Sequence, residues 1–185
     1  MNHKSDDIVE ILITQEAIQR RIVEMGREIA AAYQDCLPLL VGVLKGCVLF
    51  MSDLVKEVEI PLQMDFIAVM SYGGVHRASG AARITKDLDC VIEGRDVLLV
   101  EGIIDTGMTA GYLLRNLEAR QPRSIRVCTL LDKEARRIVR IPIAFRGFNI
   151  PDRFVVGYGL DFRQLYRNLP YIGVLSDEIT GLNRN

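Results

Sequence analysis

Apolar residues first recur at helical spacing between Thr14 and Tyr33, where Ile18, Ile22, Met25 and Ile29 share one face. The spacing predicts a helix, with Thr14 as its N-cap. The period then changes. Pro38-Leu39-Leu40-Val41-Gly42-Val43-Leu44 is an apolar run that stops at Lys45-Gly46, and it predicts a short buried strand. A helix is expected from Cys47 to Val58, ended by Pro61, followed by a strand from Leu62 to Ser71. Tyr72 to Gly80 holds three glycines and reads as a loop. Val97-Leu98-Leu99-Val100 is continuous, apolar and β-branched at both ends, the form of a strand covered on both faces. A helix from Thr109 to Ala119 carries Leu113, Leu114 and Leu117, and strands at Ser124–Leu131 and Phe154–Tyr158 complete the pattern.

Strand and helix alternate, which predicts an α/β fold with a doubly wound, mostly parallel sheet flanked by helices. No repeat, linker or low-complexity tract divides the chain, so residues 1–185 read as one domain. In such sheets ligands bind beyond the carboxyl ends of the strands. Lys45, Glu101, Lys133 and Asp161 all fall close to such ends.

Composition acts mainly by exclusion. With 49% hydrophobic and 25% charged residues, the chain has the balance of a soluble globular protein, and no run is apolar enough to cross a membrane. The polar, mixed-charge stretch from Met1 to Glu10 predicts neither a signal nor a transit peptide, hence a cytoplasmic location. A net charge of -1 supplies no basic domain for nucleic acid, although Arg136, Arg137, Arg140, Arg146 and Arg153 crowd one region. Cys36, Cys47, Cys90 and Cys128 form no CxxC pair, and His3 and His76 stand apart, so reduced thiols are expected rather than a zinc site.

The chemistry concentrates between Glu101 and Thr109. An apolar strand ends in Glu101, a short turn carries Asp105, and Gly107 between Thr106 and Thr109 opens a helix. Glycine permits close approach of backbone to a ligand. The amides of Thr106, Gly107, Met108 and Thr109 would stand unpaired at the positive end of the helix dipole, which suits a phosphate. Glu101 and Asp105, one turn apart at the mouth of the strand, suit ribose hydroxyls, a magnesium ion or proton transfer. The bland alternative is a strand-to-helix turn capped by threonine. Neither a Walker loop nor a GxGxxG fingerprint is present.

This segment resembles the phosphoribosyl pyrophosphate signature of type I phosphoribosyltransferases. Val43-Leu44-Lys45-Gly46, Ser71-Tyr72-Gly73, Leu130-Leu131-Asp132-Lys133, the run from Gly147 to Asp161, and Arg167-Asn168-Leu169-Pro170-Tyr171 are similar to the hypoxanthine-guanine branch, in family order. The resemblance implies a small hood formed by terminal segments. It implies transfer of the 5-phosphoribosyl group to hypoxanthine or guanine, giving IMP or GMP, with Mg2+ as cofactor and a homo-oligomer, dimer or tetramer, as the assembly. No nucleic acid or membrane partner is expected.

Residue by residue, the resemblance assigns Lys45 and Gly46 to pyrophosphate, with a cis peptide before the lysine, and Arg167 to pyrophosphate as well. It makes Asp105 the general base beside N7 of the purine, and Lys133 the donor to O6. An ammonium has three donors and no acceptor, so a lysine there prefers a 6-oxo to a 6-amino group. Phe154 would stack on the purine and the Val155 backbone would meet its edge. Glu101 and Asp161 would serve metal, with Asp161 also near the base, and Ser71 and Tyr72 would begin a mobile loop. Taken alone, Lys45, Lys133 and Arg167 read as surface residues and Phe154 and Val155 as core.

The chain departs from the family pattern in four places. Gly102 replaces the second of two adjacent acids, which bears on affinity for the donor. Gly74-Val75-His76-Arg77-Ala78 replaces a serine- and threonine-rich run, Glu134 replaces a proline, and Arg146 replaces an apolar or aromatic residue. Two other readings compete: an RNA-binding regulator on the same fold, and a transferase acting on another base such as xanthine or uracil.

Overall fold

The computed structural model describes residues 7–71 and 82–181. Its main sheet has six strands in the order β4-β3-β2-β5-β6-β7, namely β2 Leu39–Leu44, β3 Gln63–Ser71, β4 Ala82–Lys86, β5 Asp96–Ile104, β6 Ser124–Asp132 and β7 Ile143–Asn149. Strands β2, β3, β5, β6 and β7 run parallel, and β4 closes one edge antiparallel to β3. Helices α1 Gln15–Ala32 and α2 Val48–Glu57 cover one face, and α3 Met108–Glu118 covers the other.

The alternation of side chains along a strand sets this layering. Leu98 and Val100 of β5 pack with Ile18, Ile22, Met25 and Ile29 of α1 and with Phe50, Met51 and Leu54 of α2. Val97 and Leu99 point the opposite way, to Leu113, Leu114 and Leu117 of α3. The helix predicted from Thr14 forms as expected, and Thr14 Oγ1 accepts from the Ala17 amide at 3.3 Å.

A second, three-stranded antiparallel sheet has the order β1-β9-β8, with β1 Ile8–Ile13, β8 Val155–Val156 and β9 Ile172–Leu175. It joins the two ends of the chain, as the expected hood does. Tyr158 donates from its hydroxyl to Asp53, tying this sheet to α2.

Three expectations change. Strand β5 runs on to Ile104, so Glu101 lies inside the strand rather than at its mouth. The strand expected at Phe154–Tyr158 shrinks to Val155–Val156 and belongs to the hood, because the chain turns back at Gly157, whose amide bonds the Leu160 carbonyl at 3.1 Å. Strands β1, β4, β7 and β9 were not predicted. Among the described residues, no helix is long and apolar enough to cross a membrane.

Leu98 is fully buried between β5 and the α1/α2 layer. Leu98→Ala should therefore destabilise the fold by about 2–5 kcal/mol, measured by urea unfolding.

Candidate active site

Two adjoining cavities open at the carboxyl ends of the central strands, where parallel topology places ligands. The larger, about 390 Å3, is lined by Lys45, Gly46, Ile103, Asp105, Lys133, Arg136, Phe154, Val155, Leu160, Asp161 and Arg167. The smaller, about 110 Å3, is lined by Glu101, Ile103, Ile104, Asp105, Thr106, Gly107, Thr109 and Ala110. Asp105 and Ile103 border both. Residues drawn from five separate segments thus converge on one place.

The small cavity is shaped by the turn from β5 into α3. Gly107 has φ 81°, a left-handed conformation that glycine adopts without penalty, and a Cβ there would strike the Val139 carbonyl. The Gly111 amide bonds the Gly107 carbonyl at 2.8 Å, which leaves the amides before it at the open end of the helix. Met108 contributes only backbone, its amide meeting Thr106 Oγ1 at 3.4 Å while its side chain is exposed. Glu101 follows the inward parity of Val97 and Leu99, and burial pushes its carboxyl up to about 8.

The larger cavity brings a ring, a cation and a carboxylate together. Phe154 is held edge-on by Phe162, with centroids 5.5 Å apart and planes at 86°. Lys133 is buried, 5% exposed, so its alternative reading as a solvated residue fails. Burial holds its ammonium below the ordinary lysine range, against the pull of Asp105 and Asp152. Asp105 Oδ1 is shielded from solvent and receives no hydrogen bond, although Arg136 Nε stands 3.3 Å away. A shielded carboxylate oxygen without a donor is suited to receive one from a ligand.

At the far side, the Leu44–Lys45 peptide is cis, as the family resemblance implies. Lys45 Nζ reaches Gln164 Oε1 at 3.5 Å, and Arg167 donates to the Gly159 carbonyl at 2.7 Å and to Gln164 Oε1 at 3.1 Å. Asp161 pairs with Arg167 at 2.7 Å and accepts from the Gln164 amide at 2.8 Å. A Cβ on Gly102 would lie 2.7 Å from the Gly46 carbonyl oxygen. The backbone of the Lys45-Gly46 loop therefore rests directly on β5, in the space that a side chain at position 102 would need.

Most of the anticipated site residues line one cavity or the other. Glu101 and Asp161, both expected at metal, do not share one: Glu101 borders the smaller and Asp161 the larger. Ser71 is the last residue of β3, while Tyr72 and the loop to Gly80 lie outside the described residues. Sequence reasoning missed Arg136 and Asp152, which pair at 3.6 Å beside Lys133, and Gln164, which bridges Lys45 and Arg167. Arg136 was visible only as part of an arginine cluster. Within that cluster Arg137 and Arg146 both pair with Asp132, and Arg153 lies 3.7 Å from Glu10.

Glu101, Asp105 and Asp161 supply hard oxygen donors around the two cavities, and Asp105 Oδ1 is shielded and unbonded. Such a set fits magnesium, which keeps water and phosphate oxygens and needs few protein ligands. Among the described residues no cluster of three or more acidic, histidine or cysteine side chains forms a dedicated metal cage.

Comparison with known proteins shows the family. A phosphoribosyl transferase domain model matches residues 9–163. The hypoxanthine-guanine phosphoribosyltransferase of Bacillus subtilis is 50% identical over 173 residues, spanning 94% of this chain and 96% of the relative. That of Mycobacterium avium is 51% identical over 179 residues, spanning 94% and 88%. The structure of a hypoxanthine phosphoribosyltransferase from Staphylococcus aureus superposes with a TM-score of 0.90 at 45% identity, covering 94% of this chain and 95% of that one. The Trypanosoma cruzi enzyme in complex with the product IMP gives 0.88 at 38% identity, covering 95% and 98%.

Two outcomes follow from the site itself. Because the Glu101 carboxyl titrates higher in the folded chain than in the unfolded one, the stability of its neutral form is complete below about pH 4.5 and is lost as pH rises through about 8. Glu101→Gln should thus raise Tm by several degrees at pH 9 and hardly at all at pH 4.5, read by thermal unfolding. Gly102→Ala, which drives a methyl group into the Gly46 carbonyl, should destabilise by about 1–3 kcal/mol, read by urea unfolding.

Proposed function

This chain belongs to the phosphoribosyl transferase domain family, and on that premise we propose that it is a purine salvage enzyme. It transfers the 5-phosphoribosyl group from phosphoribosyl pyrophosphate to hypoxanthine or guanine, releasing pyrophosphate and IMP or GMP. The observation that carries this reading is the cavity in which buried Lys133, Asp105 and the Phe154 ring converge, opening through Asp105 onto a glycine-turned helix start. One half has the chemistry of a 6-oxopurine pocket and the other that of a phosphate cradle.

In this reading the purine stacks on Phe154 while Lys133 donates to its O6. Lys133 has no acceptor to offer a 6-amino group, and burial makes an unmatched donor costly, so adenine is refused. The amides of Thr106 to Thr109 hold the 5′-phosphate, and Lys45, Gly46 and Arg167 meet the pyrophosphate. Glu101 takes the ribose hydroxyls. Bound with the pyrophosphate near Glu101 and Asp161, magnesium would neutralise the leaving group. The bond from C1 of the ribose to the pyrophosphate oxygen breaks with its electron pair leaving on pyrophosphate, and N9 of the purine forms the new bond to C1. The proton released from the purine passes from N7 to the Asp105 carboxylate. Carboxylates near C1 stabilise its oxocarbenium-like character. Ser71 and Tyr72 begin a loop that closes to exclude water.

The reading carries with it a single domain over residues 1–185, a cytoplasmic location and a homo-oligomer, dimer or tetramer. A nucleic-acid regulator on this fold is disfavoured by the near-neutral net charge of -1.

The deciding experiment is a steady-state assay with phosphoribosyl pyrophosphate, magnesium and, in turn, hypoxanthine, guanine, xanthine, adenine and uracil. Turnover is expected with hypoxanthine or guanine and not with adenine or uracil. Asp105→Asn should lower kcat by about 10²–10⁴-fold, the range for loss of a positioned base. Turnover confined to another base, or full activity in Asp105→Asn, would refute the assignment.

A further inference from the structure

Three consecutive carbonyls, those of Ile104, Asp105 and Thr106, are all engaged by one segment that follows β6. The Ile104 carbonyl accepts from the Lys133 amide at 2.9 Å and from an Arg137 guanidinium nitrogen at 3.2 Å. The Thr106 carbonyl accepts from the amides of Ile138 and Val139, both at 2.9 Å. Between them, the Asp105 carbonyl accepts from Arg137 Nε at 3.0 Å. It is the one member of the trio held by a side chain without help from a backbone amide.

That carbonyl matters because of what shares its peptide plane. In a trans peptide the C=O and the next N–H point in opposite directions. Fixing the Asp105 oxygen toward Arg137 therefore fixes the Thr106 amide on the other side, where Thr106 borders the small cavity. Were this plane to rotate, a carbonyl oxygen would replace an N–H donor in a site built for an anion. The same rotation would disturb Asp105, which carries the shielded carboxylate oxygen between the two cavities.

Arg137 is itself anchored. Its guanidinium pairs with Asp132, a fully buried carboxylate at the end of β6, whose other oxygen lies 2.9 Å from Arg146 Nε. This gives Arg146 a structural reason. A planar guanidinium can face two carbonyls and a carboxylate at once, whereas a lysine ammonium, at the end of a flexible stem, cannot match that fork.

We propose that Arg137 is a positioning residue for phosphoribosyl transfer: by holding the Asp105 carbonyl away from the ligand, it keeps the turn's amides facing the phosphate. The inference rests on the assignment of the small cavity to the 5′-phosphate. A residue that served only the fold would lower stability and leave ligand affinity alone, and this difference supplies the test.

GMP affinity would be measured by calorimetry, and KM values by assay, for wild type, Arg137→Lys and Arg146→Leu, with Tm recorded for each. Arg137→Lys should weaken GMP binding by about tenfold or more, the scale of losing charge-assisted hydrogen bonds. It should raise KM for phosphoribosyl pyrophosphate by a similar factor while leaving KM for hypoxanthine within about twofold. Arg146→Leu disturbs the same buried carboxylate without touching the turn, so it should lower Tm and leave GMP affinity unchanged. If Arg137→Lys does not fold, the double variant Asp132→Asn/Arg137→Met, which leaves no unpaired buried charge, takes its place with the same expectation. Wild-type affinity in the Arg137 variant, or an equal loss in Arg146→Leu, would overturn the proposal. A wild-type protein that neither binds GMP nor turns over would instead sink the assignment of the cavity on which the proposal stands.

Discussion

Strand β5 has almost no solvent along its length, and the site depends on that constraint. Val97 to Val100 are fully buried, with alternate residues packed on α1 and α2 or on α3. A strand covered on both faces has nowhere to place polar groups except near its end. At that end the chain must turn at once into α3, because the helix is needed to cover the face that β5 exposes. The turn accordingly gathers a carboxylate, two threonines, a left-handed glycine and the open start of a helix within a few residues. Burial energy, spent on the core, thus fixes the position of the polar groups that meet the ligand.

Glu101 is the exception to the rule that polar groups wait for the strand's end. It occupies an inward position within β5, where burial alone raises its pKa to about 8. The next residue, Gly102, points to the opposite face and meets the Gly46 carbonyl. Alternation along one strand therefore serves two parts of the site: one residue faces the small cavity, and its neighbour gives the Lys45-Gly46 loop room to lie flat. The missing side chain at position 102 is a packing feature of this loop as well as a lost carboxylate.

Around the turn, charge is held by charge. Asp132 is paired with Arg137 and Arg146, and Arg136 lies between Asp105 and Asp152 beside Lys133. Asp132 is fully buried, so removing its arginines would leave an uncompensated charge, which is why these three residues are coupled rather than independent. The network leaves the Asp105 carboxylate and the Lys133 ammonium facing the same cavity, with the aromatic wall of Phe154 nearby.

The sequence by itself determined what depends on local pattern. The amphipathic stripe of α1, the apolar runs of β2 and β5, and the acid, glycine and threonines of Glu101 to Thr109 were all legible, since each is expressed by near neighbours. Where pattern was broken, prediction stopped short: Glu101 interrupts the apolar run, and β5 was ended too early. The hood strands β1 and β9 are short and pair across nearly the whole chain, Ile8 opposite Leu175, so no local window contains the partnership. Lys133 looked solvated in its charged run because its burial exists only in the folded chain. The contacts of Arg137, Arg146 and Asp132 belong to the same class. Periodicity reports which face a residue takes, whereas the pairing of buried charges depends on which faces meet, and only the tertiary structure decides that.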